Sequence, residues 1–259
     1  MAQADCPDNS SSPDQILKQA SSSASQTAVE RMFDRIAPTY ALLNHVLSFG
    51  QDFTWRRKLA RSLSEDHPIE VLDLATGTGD LLISMFRCRT AISKGVGLDI
   101  SENMLAVCRK NIERAGLTDR VVLMQADAAR THLPDSGFDV VTMAFGIRNV
   151  SDPAGTLREM HRLLRQGGRV LILEFSLPAK GLLRSLYLIY LRHFVPLAGY
   201  LVSRDKGAYR YLNTTIEGFS RSCDLPELMR KAGFVDVDAK PMTFGTVSLY
   251  SGCKPRIAE

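Results

Sequence analysis

The sequence predicts an α/β fold: a doubly wound, mostly parallel sheet, with a helical N-terminal lobe and a helical insertion before the last helix. Three observations predict it. Strand and helix signals alternate from residue 69 to 176 in units of the length that parallel crossovers need. A glycine-rich turn, Asp73-Leu74-Ala75-Thr76-Gly77-Thr78-Gly79-Asp80, joins the first of those strands to the first of those helices. Acidic residues, Asp73, Asp99 and Asp127, recur at the ends of the first three strands.

Residues 1–26 are serine-rich, carry Asp5, Asp8 and Asp14 but no Arg, and have no apolar stretch long enough for a signal-peptide core. They read as a disordered tail. From 27 to 66 the pattern is helical. Val29, Met32, Phe33 and Ile36 recur at helical spacing before Pro38, Tyr40 to Leu47 follow, and Trp55 to Leu63 continue after Gly50. Residues 67–254 form the main domain. Ile69 to Ala75 is the first strand and Asp80 to Arg87 a helix. Gly95 to Ile100 is the second strand, and a helix opened by Ser101 runs to Ala115, stopped by Gly116. Arg120 to Ala126 and Phe138 to Phe145 are the third and fourth strands. A helix from Pro153 to Leu164 is closed by Gly167-Gly168, and Arg169 to Phe175 is the fifth strand. Residues 178–218 break the alternation as a Tyr-rich helical insertion. Leu225 to Ala232 reads as helix, and Phe234 to Ala239 and Thr243 to Ser251 as two closing strands.

The 259 residues are 45% apolar and 23% charged, with net charge +4. The five cysteines, Cys6, Cys88, Cys108, Cys223 and Cys253, are scattered and form no CxxC, so they read as reduced thiols of a cytoplasmic protein, and no metal set is expected. No run of 18 uninterrupted apolar residues occurs, so no membrane span is expected. The charge is unevenly placed. Residues 178–218 hold six basic against two acidic residues, residues 31–61 hold the same, and the remainder is net acidic. That polarity suits an anionic membrane surface better than nucleic acid.

Glycines at a strand-to-helix turn let backbone approach a ligand, and the helix start adds unpaired N–H groups. A dinucleotide-binding turn places a third glycine three residues after Gly79, where this chain has Leu82, so the turn fits NAD poorly. Asp99, twenty residues after Gly79, suits two ribose hydroxyls, and Asp127 suits an adenine amine. Each of the three aspartates alone would read equally well as a cap or turn residue.

Together these residues resemble the class I S-adenosylmethionine methyltransferases, over about 69–252, with the closing strand pair completing their usual seven-stranded, Rossmann-like sheet. Two further stretches, Phe33-Asp34-Arg35-Ile36-Ala37-Pro38-Thr39-Tyr40 with Asn44-His45, and Ala144-Phe145-Gly146-Ile147-Arg148-Asn149-Val150, resemble the ubiquinone/menaquinone biosynthesis C-methyltransferases. Ala208-Tyr209-Arg210-Tyr211-Leu212 adds to the match. Ala41 departs from it, since the family usually carries Asp there. The resemblance implies S-adenosylmethionine as methyl donor and contacts from Asp73, Gly77, Thr78, Gly79, Asp99, Asp127 and Ala128. Ala144 would contribute through its backbone, where the family often has Ser. It implies a polyprenylated quinol substrate, demethylmenaquinol in menaquinone biosynthesis or the benzoquinol counterpart in ubiquinone biosynthesis.

Carbon methylation needs an electron-rich ring, which a hydroquinone becomes when a phenol loses its proton. Arg148 is placed to stabilise the phenolate or orient a water, and Asn149 to bind a quinol oxygen. Tyr40, Asn44 and His45 are candidates for closing over the substrate; His45 reads more readily as a packed or capping histidine than as a base, whereas Arg148 reads more readily as a catalytic residue than as a surface or salt-bridge arginine. Leu182 to Val202 is apolar and aromatic but broken by Arg184, Arg192, His193 and Pro196. It reads either as an interfacial segment, with Tyr at headgroup depth, or as a core-facing lid. The expectation is thus a cytoplasmic enzyme peripherally bound to the inner membrane face, with homo-oligomerisation open. The competing readings are a methyltransferase of another lipophilic acceptor, an NAD-type oxidoreductase, and a non-catalytic S-adenosylmethionine-binding partner of a quinone-synthesis assembly.

Overall fold

The computed structural model describes residues 34, 45, 47–63, 67–89, 91–179, 181–195 and 206–256, the side chains of 206–212 excepted. Within them, seven strands form one sheet in the order β3-β2-β1-β4-β5-β7-β6. They are β1 (Ile69–Leu74), β2 (Ile92–Asp99), β3 (Val121–Gln125), β4 (Phe138–Ala144), β5 (Leu164–Phe175), β6 (Val235–Met242) and β7 (Val247–Cys253). β1 to β5 pair in parallel, and β7 runs antiparallel between β5 and β6. The expected doubly wound, mostly parallel sheet is therefore present.

The central strands are apolar because both of their faces are covered. Val71 and Val140 face one core with Leu82, Met85 and Ile112, while Leu72, Leu74 and Val141 face the other with Leu157 and Met160. The helices are α1 (Gln51–Arg61), α2 (Asp80–Cys88), α3 (Glu102–Arg114), α4 (Pro153–Leu163), α5 (Leu182–Ile189), α6 (Lys206–Ser222) and α7 (Leu225–Lys231). Three start at side-chain caps: Ser101 accepts from the Met104 N–H, Asp152 from Gly155 and Asp224 from Glu227. α1 inserts Trp55, Leu59 and Ala60 into the same core as β1 and α2.

Several strand boundaries differ from expectation, β2 starting early at Ile92 and β6 running on to Met242, and the starts of β5 and β7 differ most. β5 begins at Leu164, directly after α4, because Gly167 at φ 77° with Gly168 forms an irregularity inside the strand instead of a loop. β7 begins at Val247, because Thr243 and Phe244 take φ 44° and 59° in a left-handed turn that no strand can include.

Strand order reverses between β1 and β4. In open α/β sheets the crevice beyond the carboxyl ends at such a reversal is where ligands bind. Backbone strain collects there as well. Ala75, after β1, and Phe145, after β4, are non-glycine residues with φ of 52° and 58°.

Candidate active site

The β1–α2 turn is built by short-range bonding. The Thr76 N–H donates to the Leu98 carbonyl at 2.9 Å and the Gly79 N–H to the Thr76 carbonyl at 3.0 Å. Gly77 and Gly79 take φ 56° and 83°. A Cβ on Gly79 would lie 2.6 Å from Cys108 Sγ, so this glycine lets α3 pack against the turn. From α3, Asn111 Nδ2 donates to the Thr78 carbonyl at 2.9 Å.

Asp73, Gly77, Thr78 and Ala144 line one cleft, together with Arg56, Asp80 and Phe145. Asp73 is buried and accepts from the hydroxyls of Thr142 at 2.6 Å and Thr76 at 2.8 Å. Burial pushes its carboxyl up to about 6, against the lowering effect of those two hydrogen bonds. Asp99 stands at the end of β2. Its two oxygens accept from the N–H groups of Gly77 at 2.8 Å and Ser101 at 3.0 Å, and burial raises its pKa. A carboxylate has about four acceptor sites, so these two bonds orient Asp99 while leaving capacity for two ribose hydroxyls. Asp127 Oδ1 caps its own turn by accepting from the Ala129 N–H at 2.9 Å, and Ala128 is buried in the core. Glycines at positive φ, a helix start and an oriented strand-end carboxylate together fit an adenosyl ligand carrying a charged tail.

The fourth strand leads into a one-turn 3₁₀ helix, Ile147–Asn149. Arg148 is only 5% exposed in its side chain, and its Nη1 donates to Glu174 Oε1 at 2.6 Å and to the Phe145 carbonyl at 2.7 Å. Its guanidinium lies 5.1 Å from the Phe175 ring centre. Arg148 Nε and Asn149 Oδ1 are buried without hydrogen-bond partners. Asn149 Nδ2 donates to the Phe145 carbonyl at 3.3 Å.

Phe145, Phe175 and Trp55 form an aromatic wall, with ring centres 4.6 to 6.4 Å apart. Beyond it lies an apolar cavity of about 240 Å³, lined by Leu47, Phe49, Trp55, Phe175, Tyr187 and Tyr190 among others. Tyr187 and Tyr190 therefore point inwards, where the sequence left headgroup contact and a core-facing lid both open. Their rings stack 6.2 Å apart, and the Tyr190 hydroxyl donates to the Leu47 carbonyl. The outer surface of α5 instead carries Leu182, Leu183, Leu186 and Ile189, all exposed, and the helix buries none of its residues.

His45 Nδ1 sits 3.2 Å from Asp52 Oδ1, and its ring meets Phe53 edge-on at 4.7 Å. Burial alone would raise Asp52, but Arg56, with hydrogen bonds from His45 and Ser48, holds its carboxyl below the usual range. Tyr40 and Asn44 lie outside the described residues.

Sequence reasoning passed over four residues here. Arg56 enters the sequence reading only as one of the six basic residues of 31–61, yet it is buried in the cleft wall. Asp80 was read only as the helix start. Glu174 was the single acid in the apolar run of β5, a signal that it needed a buried cation. Asp34 accepts from the Ser101 hydroxyl beside Asp99, which no local pattern in the N-terminal segment could show.

Among solved structures, the chain is similar to the [4+2]-cyclase SpnF (TM-score 0.58, 16% identity, 90% of this chain and 97% of that one). It is also similar to a SAM-dependent methyltransferase from Thermotoga maritima (0.57, 19%, 86% and 99%). At those identities the likeness establishes the fold alone, and one of the two proteins is a cyclase. The curated relatives are closer. A demethylmenaquinone methyltransferase of Thermus thermophilus is 42% identical over 86% of this chain and 100% of its own length. A ubiquinone/menaquinone biosynthesis C-methyltransferase of Syntrophotalea carbinolica is 42% identical over 86% and 92%. The model of the ubiE/COQ5 methyltransferase family matches residues 20–254. The chain belongs to the ubiE/COQ5 methyltransferase family, as an S-adenosylmethionine-dependent enzyme.

Proposed function

We propose that the enzyme C-methylates the ring of a polyprenylated quinol, with demethylmenaquinol as substrate, at the cytoplasmic face of a membrane. The names of the Thermus thermophilus and Bacteroides fragilis relatives support the naphthoquinol. The broader name of the Syntrophotalea carbinolica relative keeps the ubiquinone benzoquinol as the second reading. The observation that carries the proposal is the apolar, aromatic-walled cavity whose Trp55 and Phe175 pack against Phe145 of the cleft wall. A lipophilic ring fits such a lining.

Bound S-adenosylmethionine supplies the methyl group. Gly77, Thr78 and Ala144 shape its cleft, and Asp99 and Asp127 hold its adenosyl half. A guanidinium has donors and no acceptor, so Arg148 acts as a cation and not as a base. Its unpartnered Nε–H and the unpartnered Asn149 Oδ1 are a donor and an acceptor on one turn, the pair a quinol hydroxyl needs. As the hydroxyl loses its proton, the Arg148 charge favours the phenolate. His45, held through Nδ1 by Asp52, is the candidate acceptor of the quinol proton. The phenylalanines and tyrosines of the cavity exclude water from the ring carbon.

The exposed leucines of α5 and the basic residues around them, Arg184 and Arg192, form the face that meets anionic lipid. No helix among the described residues is long and apolar enough to cross a membrane.

The test is purified enzyme with S-adenosylmethionine and a short-chain demethylmenaquinol, products read by mass spectrometry. Arg148→Ala should bind S-adenosylmethionine normally and lose about 100-fold or more in turnover. Full activity in that variant removes Arg148 from the mechanism, and turnover of the benzoquinol alone would replace the naphthoquinol reading.

A further inference from the structure

We propose that Arg56 and Asp80 clamp the amino-acid end of S-adenosylmethionine, Arg56 taking the carboxylate and Asp80 the ammonium. This rests on the cofactor and is independent of the quinol. α1 carries Arg56 across to the cleft, where its side chain is 6% exposed. One terminal nitrogen is fully engaged, with Nη1 2.5 Å from Asp52 Oδ2. The other, Nη2, stands 3.7 Å from Asp80 Oδ2, beyond hydrogen-bonding distance. Asp80 is 28% exposed in its side chain and is steadied by the Thr78 hydroxyl, which donates to its Oδ2 at 2.9 Å.

A guanidinium has five donors in a fixed fork. Burying one against a single closed ion pair is costly unless a further anion completes it. Asp73 acts on Arg56 through charge alone, with no hydrogen bond between them, and its two oxygens each accept from a threonine hydroxyl, of Thr76 and Thr142. An amino-acid zwitterion supplies both missing partners: its carboxylate meets Arg56 and its ammonium meets Asp80, opening the loose 3.7 Å contact into two closed ones. The same carboxylate would lie near the start of α2, where N–H groups and the helix dipole favour negative charge. The adenosyl half is held elsewhere, by Asp99 at the end of the neighbouring strand. The two ends of one ligand are thus read by separate side chains.

That separation gives the test. S-adenosylmethionine, S-adenosylhomocysteine and 5′-methylthioadenosine, which lacks the amino-acid end, are titrated calorimetrically into the full-length protein. Arg56→Gln should weaken the first two by about tenfold to a hundredfold, as loss of a charge-assisted bond implies. It should leave 5′-methylthioadenosine within about twofold of wild type. Arg56→Lys should recover part of the loss. Asp80→Asn should show the same selective weakening, and it decides the matter if Arg56→Gln fails to fold with Asp52 left unpaired. Equal losses for all three ligands, or no loss in Asp80→Asn and Arg56→Lys alike, would overturn the clamp.

Discussion

At the scale of single residues, Asp73 shows how burial sets a pH dependence. Its carboxyl is pushed up to about 6, while an unfolded aspartate ionises near 3.8. Between those values the native state binds more proton than the unfolded one, so its stability falls as pH rises through the window. A difference of about two pH units corresponds to roughly 3 kcal/mol as an upper bound. Asn at this position has no charge to bury, and its carbonyl still accepts from one threonine hydroxyl. Asp73→Asn should therefore gain on the wild type by up to roughly 3 kcal/mol between about pH 4 and pH 7, measured by urea unfolding without ligand. A constant gap across that range would show that Asp73 does not titrate there.

At the scale of elements, α5 separates two roles that its sequence had merged. Tyr187 and Tyr190 line the cavity, and burial raises both phenols, Tyr190 to about 12. Leu182, Leu186 and Ile189 point outwards. The apolar run of this segment was plain in the sequence; which residues face outwards and which line the cavity depends on helix phase, which composition does not carry. Each outward side chain contributes about 1–3 kcal/mol if buried fully in lipid. Replacing Leu182, Leu186 and Ile189 together by Ser should cut co-sedimentation with anionic vesicles severalfold or more and leave S-adenosylmethionine affinity unchanged. Undiminished co-sedimentation by the folded triple variant would refute the lipid contact. Tyr187→Asp, by contrast, should impair turnover of the quinol, because it puts a charge into an apolar cavity.

At the scale of the whole molecule, the parallel sheet and its cofactor turn were legible because periodicity and glycine placement are local. What was not legible arose from long-range pairing. Glu174 meets Arg148 across 26 residues, and Arg56 reaches Asp80 from a helix that the sequence had assigned to a separate lobe. The charge count treated Arg56 as part of a basic surface, and its burial against Asp52 removes it from that face. The same packing bears on how the chain unfolds. Trp55, the only tryptophan, is buried in the core shared by α1, β1 and α2, and its Nε1 donates to Thr243 at 2.8 Å. It stands between the cleft and the cavity, so its fluorescence reports the N-terminal helix while circular dichroism reports the sheet and its helices. If α1 is integral to the core, the two urea transitions should coincide. S-adenosylmethionine at 100 times its Kd should then raise the unfolding free energy by about 2.7 kcal/mol in both signals. A tryptophan transition at lower urea, unmoved by S-adenosylmethionine, would mean that α1 opens on its own. In that case 27–66 would be a separately folding lobe, and Arg56 would be too loosely held to reach the cofactor.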